Sequence, residues 1–267
     1  MNQQTAAPGA APVLLQRDGA IATIVLNRPE KRNAISLAMY QRIGALIEEL
    51  SADDAVRCIV MRGAGDKAFA AGADIGEFGE QRTGQSQAEA YDAAATRASD
   101  ALSQCRHPVV ALIQGYCVGG GLELAARCDI RIAGAGSRFS IPARNLGLTV
   151  DYVELAVLMR LAKPADLLEM LLEARLMDAA EAHHKGLVNR VVPDADVERE
   201  TYATARRIAE GAPLSARWHR KFIYRLLDPR PLSDEEKREP YLCYDTEDYR
   251  IGVEAFARKA KPAFKGR

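Results

Sequence analysis

The sequence predicts an α/β fold, with strands alternating with helices in the first half and helices dominating the second. Three observations carry that prediction. Short apolar runs such as Ile21–Leu26, Arg57–Arg62 and Val109–Ile113 are bounded by turn residues, as strands are. Between the first two, Leu37, Tyr40, Ile43, Leu46, Ile47 and Leu50 repeat at helical spacing. From Asp151 onward nearly every periodic segment reads as helix. With 267 residues, 48% hydrophobic and 27% charged, the chain can bury a full core and has the composition of a soluble globular protein.

Each element has a local cause. Asp18-Gly19 between two apolar runs, Val13–Gln16 and Ile21–Leu26, signals a hairpin. Ser36 is placed to cap the following helix. Gly63–Gly65 forms the exit turn after strand Arg57–Arg62, and the small-residue segment Lys67–Ile75 reads as a functional loop. Gly63-x-Gly65-x-x-Ala68 fits a loose dinucleotide fingerprint but lacks the helix and acidic strand end that such a site needs. Gly76–Gln87 reads as a mobile surface segment, Ala88–Cys105 as a helix, and Asp129–Ala133 and Arg138–Ile141 as two more strands. The later helices are expected near Tyr152–Leu161, Pro164–Glu173, Ala179–Lys185, Val197–Glu210, Pro213–Leu227, Ser233–Tyr249 and Arg250–Lys259, with a strand at Leu187–Val192.

The stretch Pro108–Ala126 organises the rest. A buried strand (Val109–Ile113) leads to Gly119-Gly120-Gly121 and a helix opening with Leu122-Glu123-Leu124. Bare glycine backbone lets ligand atoms approach, and unpaired N–H groups of a first helical turn favour negative charge. If that charge develops only during a reaction, the geometry is an oxyanion hole with the Glu123 carboxylate about one helical turn away. The same glycines equally permit close helix–sheet packing, and glutamate is common in a first turn.

Composition excludes several functions. Lysine plus arginine and aspartate plus glutamate balance at 36 each, so neither nucleic acid nor a membrane surface is an expected partner. The five cysteines show no paired spacing and point to reduced thiols and a cytoplasmic compartment. His183 and His184 are helix neighbours that point apart, His107 and His219 have no partner at ligand spacing, and no metal is expected.

NRPEKRNAIS (Asn27–Ser36), KAFAAGADI (Lys67–Ile75) and GYCVGGGLELAARCDIRIA (Gly115–Ala133) resemble the enoyl-CoA hydratase/isomerase family, the crotonases. ARLMDAAEAHHKGLVNRVV (Ala174–Val192) and EAFARKAKPAFK (Glu254–Lys265) extend the resemblance to nearly the whole chain. It implies a crotonase-like spiral of ββα units with a C-terminal helical lobe, assembled as a homotrimer or a dimer of trimers. The corresponding division is a flexible tail over 1–12, a spiral core with the acyl-CoA site over 13–195, and a lobe for assembly and CoA contact over 196–267.

The resemblance further implies an acyl-CoA enzyme without a separate cofactor, coenzyme A being part of the substrate. Its oxyanion donors fall on the backbone N–H groups of Ala73 and Gly120, and its first catalytic glutamate on Glu123. The second glutamate of family hydratases is replaced here by Ala143, which cannot transfer a proton. Asp151, at a position where other family members carry a catalytic aspartate, becomes the partner of Glu123, although it could equally cap the helix at Tyr152. CoA contacts are expected from Arg28, Lys31, Lys67, Ala68 and Ala71, and from Phe256 and Lys259 of the tail, often supplied by a neighbouring subunit. A solvated basic tail explains the lysines as well. Tyr116, Tyr152 and Trp218 are candidates for the acyl pocket or simple core aromatics. Hydration or double-bond isomerisation of an enoyl-CoA is the expected reaction. The alternatives are hydrolysis, decarboxylation or ring opening of another CoA thioester, or a non-catalytic binding or scaffold role.

Overall fold

A computed structural model of the chain describes residues 11–77 and 85–267. β1 (Val13–Asp18) and β2 (Ile21–Leu26) form the expected hairpin, with Asp18 paired to Ile21. β2 is followed by one bridging residue, Ile35, which pairs with Ala73, and then by α1 (Leu37–Ala52), capped by the Ser36 hydroxyl. Three further units repeat a strand, a short strand and a helix. They are β3 (Cys58–Gly63), β4 (Ala68–Ala70) and α2 (Gln85–Gln104); β5 (Val109–Ile113), β6 (Tyr116–Val118) and α3 (Gly120–Ala126); and β7 (Ile130–Gly134), β8 (Arg138–Ser140) and α4 (Tyr152–Leu158). After α5 (Pro164–Glu173), β9 (Met177–Asp178), α6 (Ala179–His184) and β10 (Arg190–Val192), the chain ends in α7 (Val197–Glu210), α8 (Pro213–Leu226), α9 (Asp234–Arg238) and α10 (Glu247–Ala257).

The first strands of the units collect in a six-stranded sheet of order β1-β2-β3-β5-β7-β10, parallel beyond the hairpin. The second strands collect in a smaller sheet, β4-β6-β8, which β9 extends by pairing antiparallel with β8. This is the predicted ββα spiral. β2 and β5 are buried along their whole length, as strands covered on both faces must be. α1 covers one side of the large sheet through Met39, Ile43, Leu46 and Ile47. α7 covers the other, setting Val197 and Ala205 against Val60, Val110, Leu112 and Ile132. Arg220 of α8 fastens the last helices to this body. Its guanidinium donates to the Asp129 carboxylate at 3.0 Å and to the Leu102, Ser103 and Cys105 carbonyls, and the Tyr224 hydroxyl donates to Asp129 at 2.8 Å.

Several elements differ from the sequence reading. The loop Lys67–Ile75 contains β4, and the approach to the triple glycine contains β6. Both strands have three residues, too short for a period to register. The expected helix Ser233–Tyr249 is broken: α9 passes into 3-10 turns over Glu239–Asp245, and Thr246 caps a new helix by accepting the Tyr249 N–H at 3.0 Å. Pro240, with no N–H to donate, accounts for the break. α2 begins at Gln85 instead of Ala88. The mobile segment expected over Gly76–Gln87 lies largely outside the described residues, as does the N-terminal tail up to residue 10. Among the described residues, no helix is long and apolar enough to cross a membrane.

Candidate active site

The Ala73 loop leaves β4 and is strapped to the segment before α1. The Ile35 N–H donates to the Gly72 carbonyl at 2.8 Å, and the Asp74 N–H donates to the Ile35 carbonyl at 2.9 Å. These bonds flank Ala73, so its own N–H faces away from Ile35. It faces the triple glycine. The Ala73 nitrogen lies 3.8 Å from the point a Cβ on Gly120 would occupy.

The three glycines divide the two roles offered by the sequence. Gly119 sits at φ 51°, ψ −127°, a conformation that only glycine adopts readily, and turns β6 into α3. At Gly121 a Cβ would fall 2.5 Å from the Ala70 carbonyl oxygen, so this position serves close packing. Gly120 opens α3 with an N–H that has no partner one turn back, and it fronts the site. The same Cβ point on Gly120 lies 3.8 Å from Oε2 of half-buried Glu123 and 2.5 Å from the Tyr40 hydroxyl. Two backbone donors, a carboxylate and a phenol therefore converge on a few ångströms.

Tyr40 is the residue the sequence reading missed, having been counted only in the apolar stripe of α1. The available signal was its hydroxyl, since a buried tyrosine oxygen in such a stripe needs a polar destination. Tyr40 is 5% exposed and meets the Tyr91 ring edge-on at 5.8 Å between centroids. The Tyr91 hydroxyl in turn donates to the Ile35 carbonyl at 3.1 Å.

Arg28 and Lys31, expected to meet CoA, have a partner within the chain. Both donate to Oδ2 of buried Asp74, at 2.8 and 3.1 Å. Burial by itself would raise the Asp74 pKa. The hydrogen bonds from Arg28, Lys31 and the Gly76 N–H outweigh it and hold the carboxyl below its usual value. Glu77 adds a second tie, its carboxylate accepting the Leu37 N–H at 2.9 Å at the start of α1. Lys67 is exposed, Ala68 is buried in β4, and the Ala71 N–H is held by the Arg32 carbonyl at 3.0 Å.

Asp151 is exposed and caps α4, its Oδ1 accepting the Glu154 N–H at 2.8 Å, which leaves Oδ2 as a second acceptor. Ala143 begins a 3-10 turn directly after Pro142. Phe256 of α10 is 88% exposed, and Lys259, also exposed, follows that helix at φ 51°. Neither is brought to Gly120 by any contact among the described residues. Among the acyl-pocket candidates, Tyr116 carries the Arg32 guanidinium 5.1 Å over its ring, Tyr152 is 91% exposed, and Trp218 is half-buried on α8.

The fold and this geometry have known counterparts. The family model for enoyl-CoA hydratase/isomerase matches residues 16–267. A "Probable enoyl-CoA hydratase" of Mycobacterium bovis is 34% identical over 258 residues, covering 96% of this chain and 98% of that protein. The short-chain-enoyl-CoA hydratase of Clostridium acetobutylicum is 31% identical with the same coverage. A crystal structure described as an enoyl-CoA hydratase/carnithine racemase, from Magnetospirillum magneticum, superposes with a TM-score of 0.95 at 48% identity over 97% of both chains. The chain belongs to the enoyl-CoA hydratase/isomerase, or crotonase, family.

Proposed function

We propose that this enzyme stabilises the enolate of an acyl-CoA thioester and uses it to hydrate an enoyl-CoA or to move its double bond. The observation that carries this reading is the meeting of the Ala73 N–H, the opening N–H of α3 and the Glu123 carboxylate at Gly120. The two N–H groups receive the thioester oxygen as charge accumulates there, and Glu123 takes or returns the proton at carbon. Asp151 is assigned as its acid/base partner, through the oxygen not used in capping. This assignment rests on the sequence resemblance and on the packing of α4 against α3. With alanine at 143, the site has one half-buried carboxylate beside the donors instead of two, which favours proton relocation along an acyl chain over fast hydration.

CoA contact is assigned to Lys31 through its exposed part, to Arg28 within the same loop, and to Lys67, Ala68 and Ala71 along the approach to Ala73. Phe256 and Lys259 act from a neighbouring subunit of a homotrimer or dimer of trimers. Exposed Ile223, Leu226, Leu242 and Val253 on the last helices and their connecting turns give the 196–267 lobe an apolar surface suited to that assembly. The unpaired cysteines, four of them buried, support a cytoplasmic compartment.

Crotonyl-CoA turnover, followed by enoyl-thioester absorbance, tests the reading with wild type, Glu123→Gln and Asp151→Asn side by side. Turnover lost in Glu123→Gln supports it, and a further loss in Asp151→Asn supports the pairing. If crotonyl-CoA is inert, 3-enoyl- and dienoyl-CoA decide between isomerisation and no chemistry on enoyl thioesters.

A further inference from the structure

The polar side chain nearest Gly120 is one that the mechanism above leaves unused. The Tyr40 oxygen stands 2.5 Å from the point where a Gly120 Cβ would be, closer than the Ala73 nitrogen or the Glu123 carboxylate, each at 3.8 Å. Its position is fixed by the framework that fixes the donors. Tyr40 lies one turn into α1, whose start is held by the Ser36 cap and by Glu77 on the Leu37 N–H. Its ring rests on Tyr91, and Tyr91 bonds to Ile35, the residue that bridges Ala73. A shift of Tyr40 relative to Ala73 would have to break this framework.

We propose that Tyr40 is a catalytic residue whose phenol donates a hydrogen bond to the thioester oxygen while Glu123 takes the α-proton. The proposal rests on the thioester-enolate reading of the site. In that step the Cα–H bond breaks and its proton passes to the Glu123 carboxylate, the freed pair forms the Cα=C double bond, and the C=O π pair moves onto the oxygen as the enolate charge. Tyr40 keeps its own proton and only donates. A phenol suits this role because its O–H donates a hydrogen bond without bringing a charge of its own into the site. Its bond to an oxygen that gains charge is strengthened as the reaction proceeds, which is the condition for lowering a barrier. The site thereby holds a side-chain donor beside two backbone donors.

Tyr40→Phe removes a single oxygen and tests the role with two readouts. The first is exchange of the α-protons of butyryl-CoA in D2O, followed by mass spectrometry. The second is the ultraviolet red shift of bound hexadienoyl-CoA, which reports polarisation of the thioester carbonyl. The red shift is measured in the Glu123→Gln background, where the probe stays unreacted. The expected result is exchange lowered by about 10²-fold, the scale of losing one oxyanion donor, together with a smaller red shift and unchanged thioester Kd. Exchange and red shift equal to those with Tyr40 present overturn the proposal and leave the enolate reading standing. Exchange lowered without any change in red shift makes Tyr40 a packing residue and also overturns it. Butyryl-CoA that binds the wild type without Glu123-dependent exchange overturns the enolate reading, and this proposal with it.

Discussion

Arg28 holds the Asp74 carboxylate at 2.8 Å with one guanidinium nitrogen and the Ala34 carbonyl at 2.9 Å with another. The residue beside the Ala73 donor is thus tied to the loop that leads into α1. Arg28→Ala leaves the buried carboxylate with Lys31 and the Gly76 N–H as its remaining donors and is expected to cost about 1.5–3 kcal/mol. Thermal or urea unfolding measures it. Asp74→Asn keeps the side-chain shape, so it should lower kcat more than it raises the KM for the thioester, as expected of a group that aims a donor.

The same pair sets an acid limit. Asp74 titrates lower in the fold than in the unfolded chain, so its stabilisation is complete above the ordinary carboxyl value near 3.8 and is lost as pH falls below it. Urea midpoints between pH 5 and pH 3 should fall more steeply for wild type than for Asp74→Asn.

His107 acts in a separate window. Burial, followed by the charges of Arg217 and Arg106, pushes its pKa down to about 4 from an ordinary 6.5. Between those values the unfolded chain binds the extra proton, so this residue's contribution to stability rises with pH across the window and is level above it. His107→Gln should flatten the rise. Urea midpoints at pH 4.5, 5.5 and 7 are the check, and an unchanged slope would refute the assignment.

Gly120 and Tyr40 should be coupled. A methyl at Gly120 falls 2.5 Å from the phenol oxygen, and the Gly120 backbone lies outside the positive-φ region, so contact and not backbone strain is the cost. Gly120→Ala is expected to lower stability and turnover, and Tyr40→Phe to restore part of the stability. A double-mutant cycle reads the coupling, and strict additivity would argue against the contact.

Arg220 is the fifth test. Its removal leaves three carbonyls and Asp129 without this donor and should destabilise by about 3–5 kcal/mol. Hydrogen exchange in Arg220→Ala should rise first in α8, before the strands.

The fold was legible where a pattern persisted. The α1 stripe and the Asp18-Gly19 hairpin form as read, and helices Pro164–Glu173 and Val197–Glu210 begin and end where the sequence places them. Of the small sheet, β8 was legible at Arg138–Ile141, but β4, β6 and β9 were not, because strands of two or three residues have no period and are specified by neighbours distant in sequence. At the candidate site, the glycine turn into a helix with Glu123 in its first turn could be read from backbone chemistry, whereas the roles proposed for these residues came from the family resemblance. The commitment of Arg28 and Lys31 to Asp74 could not be read, since charge pairing across more than forty residues leaves no local trace. Tyr40 was hidden for a related reason: helical spacing reports which face a residue occupies and says nothing of what its hydroxyl meets.

The pairing of β4 with β6 has a consequence for how this enzyme could change its preferences. Ala68 pairs with Tyr116 and Ala70 with Cys117, and each strand runs within a few residues into one of the two donors. Donor spacing is therefore a register property of the small sheet, secured by main-chain bonds that do not depend on which side chains line the acyl chain. Under the proposed enolate mechanism, acyl preference can be retuned by residues outside this sheet while the spacing of the two N–H groups is kept. A library that randomises the exposed face of α4 should yield variants with altered substrates and intact enolate chemistry, whereas one that randomises Ala68–Ala70 should yield mostly inactive protein.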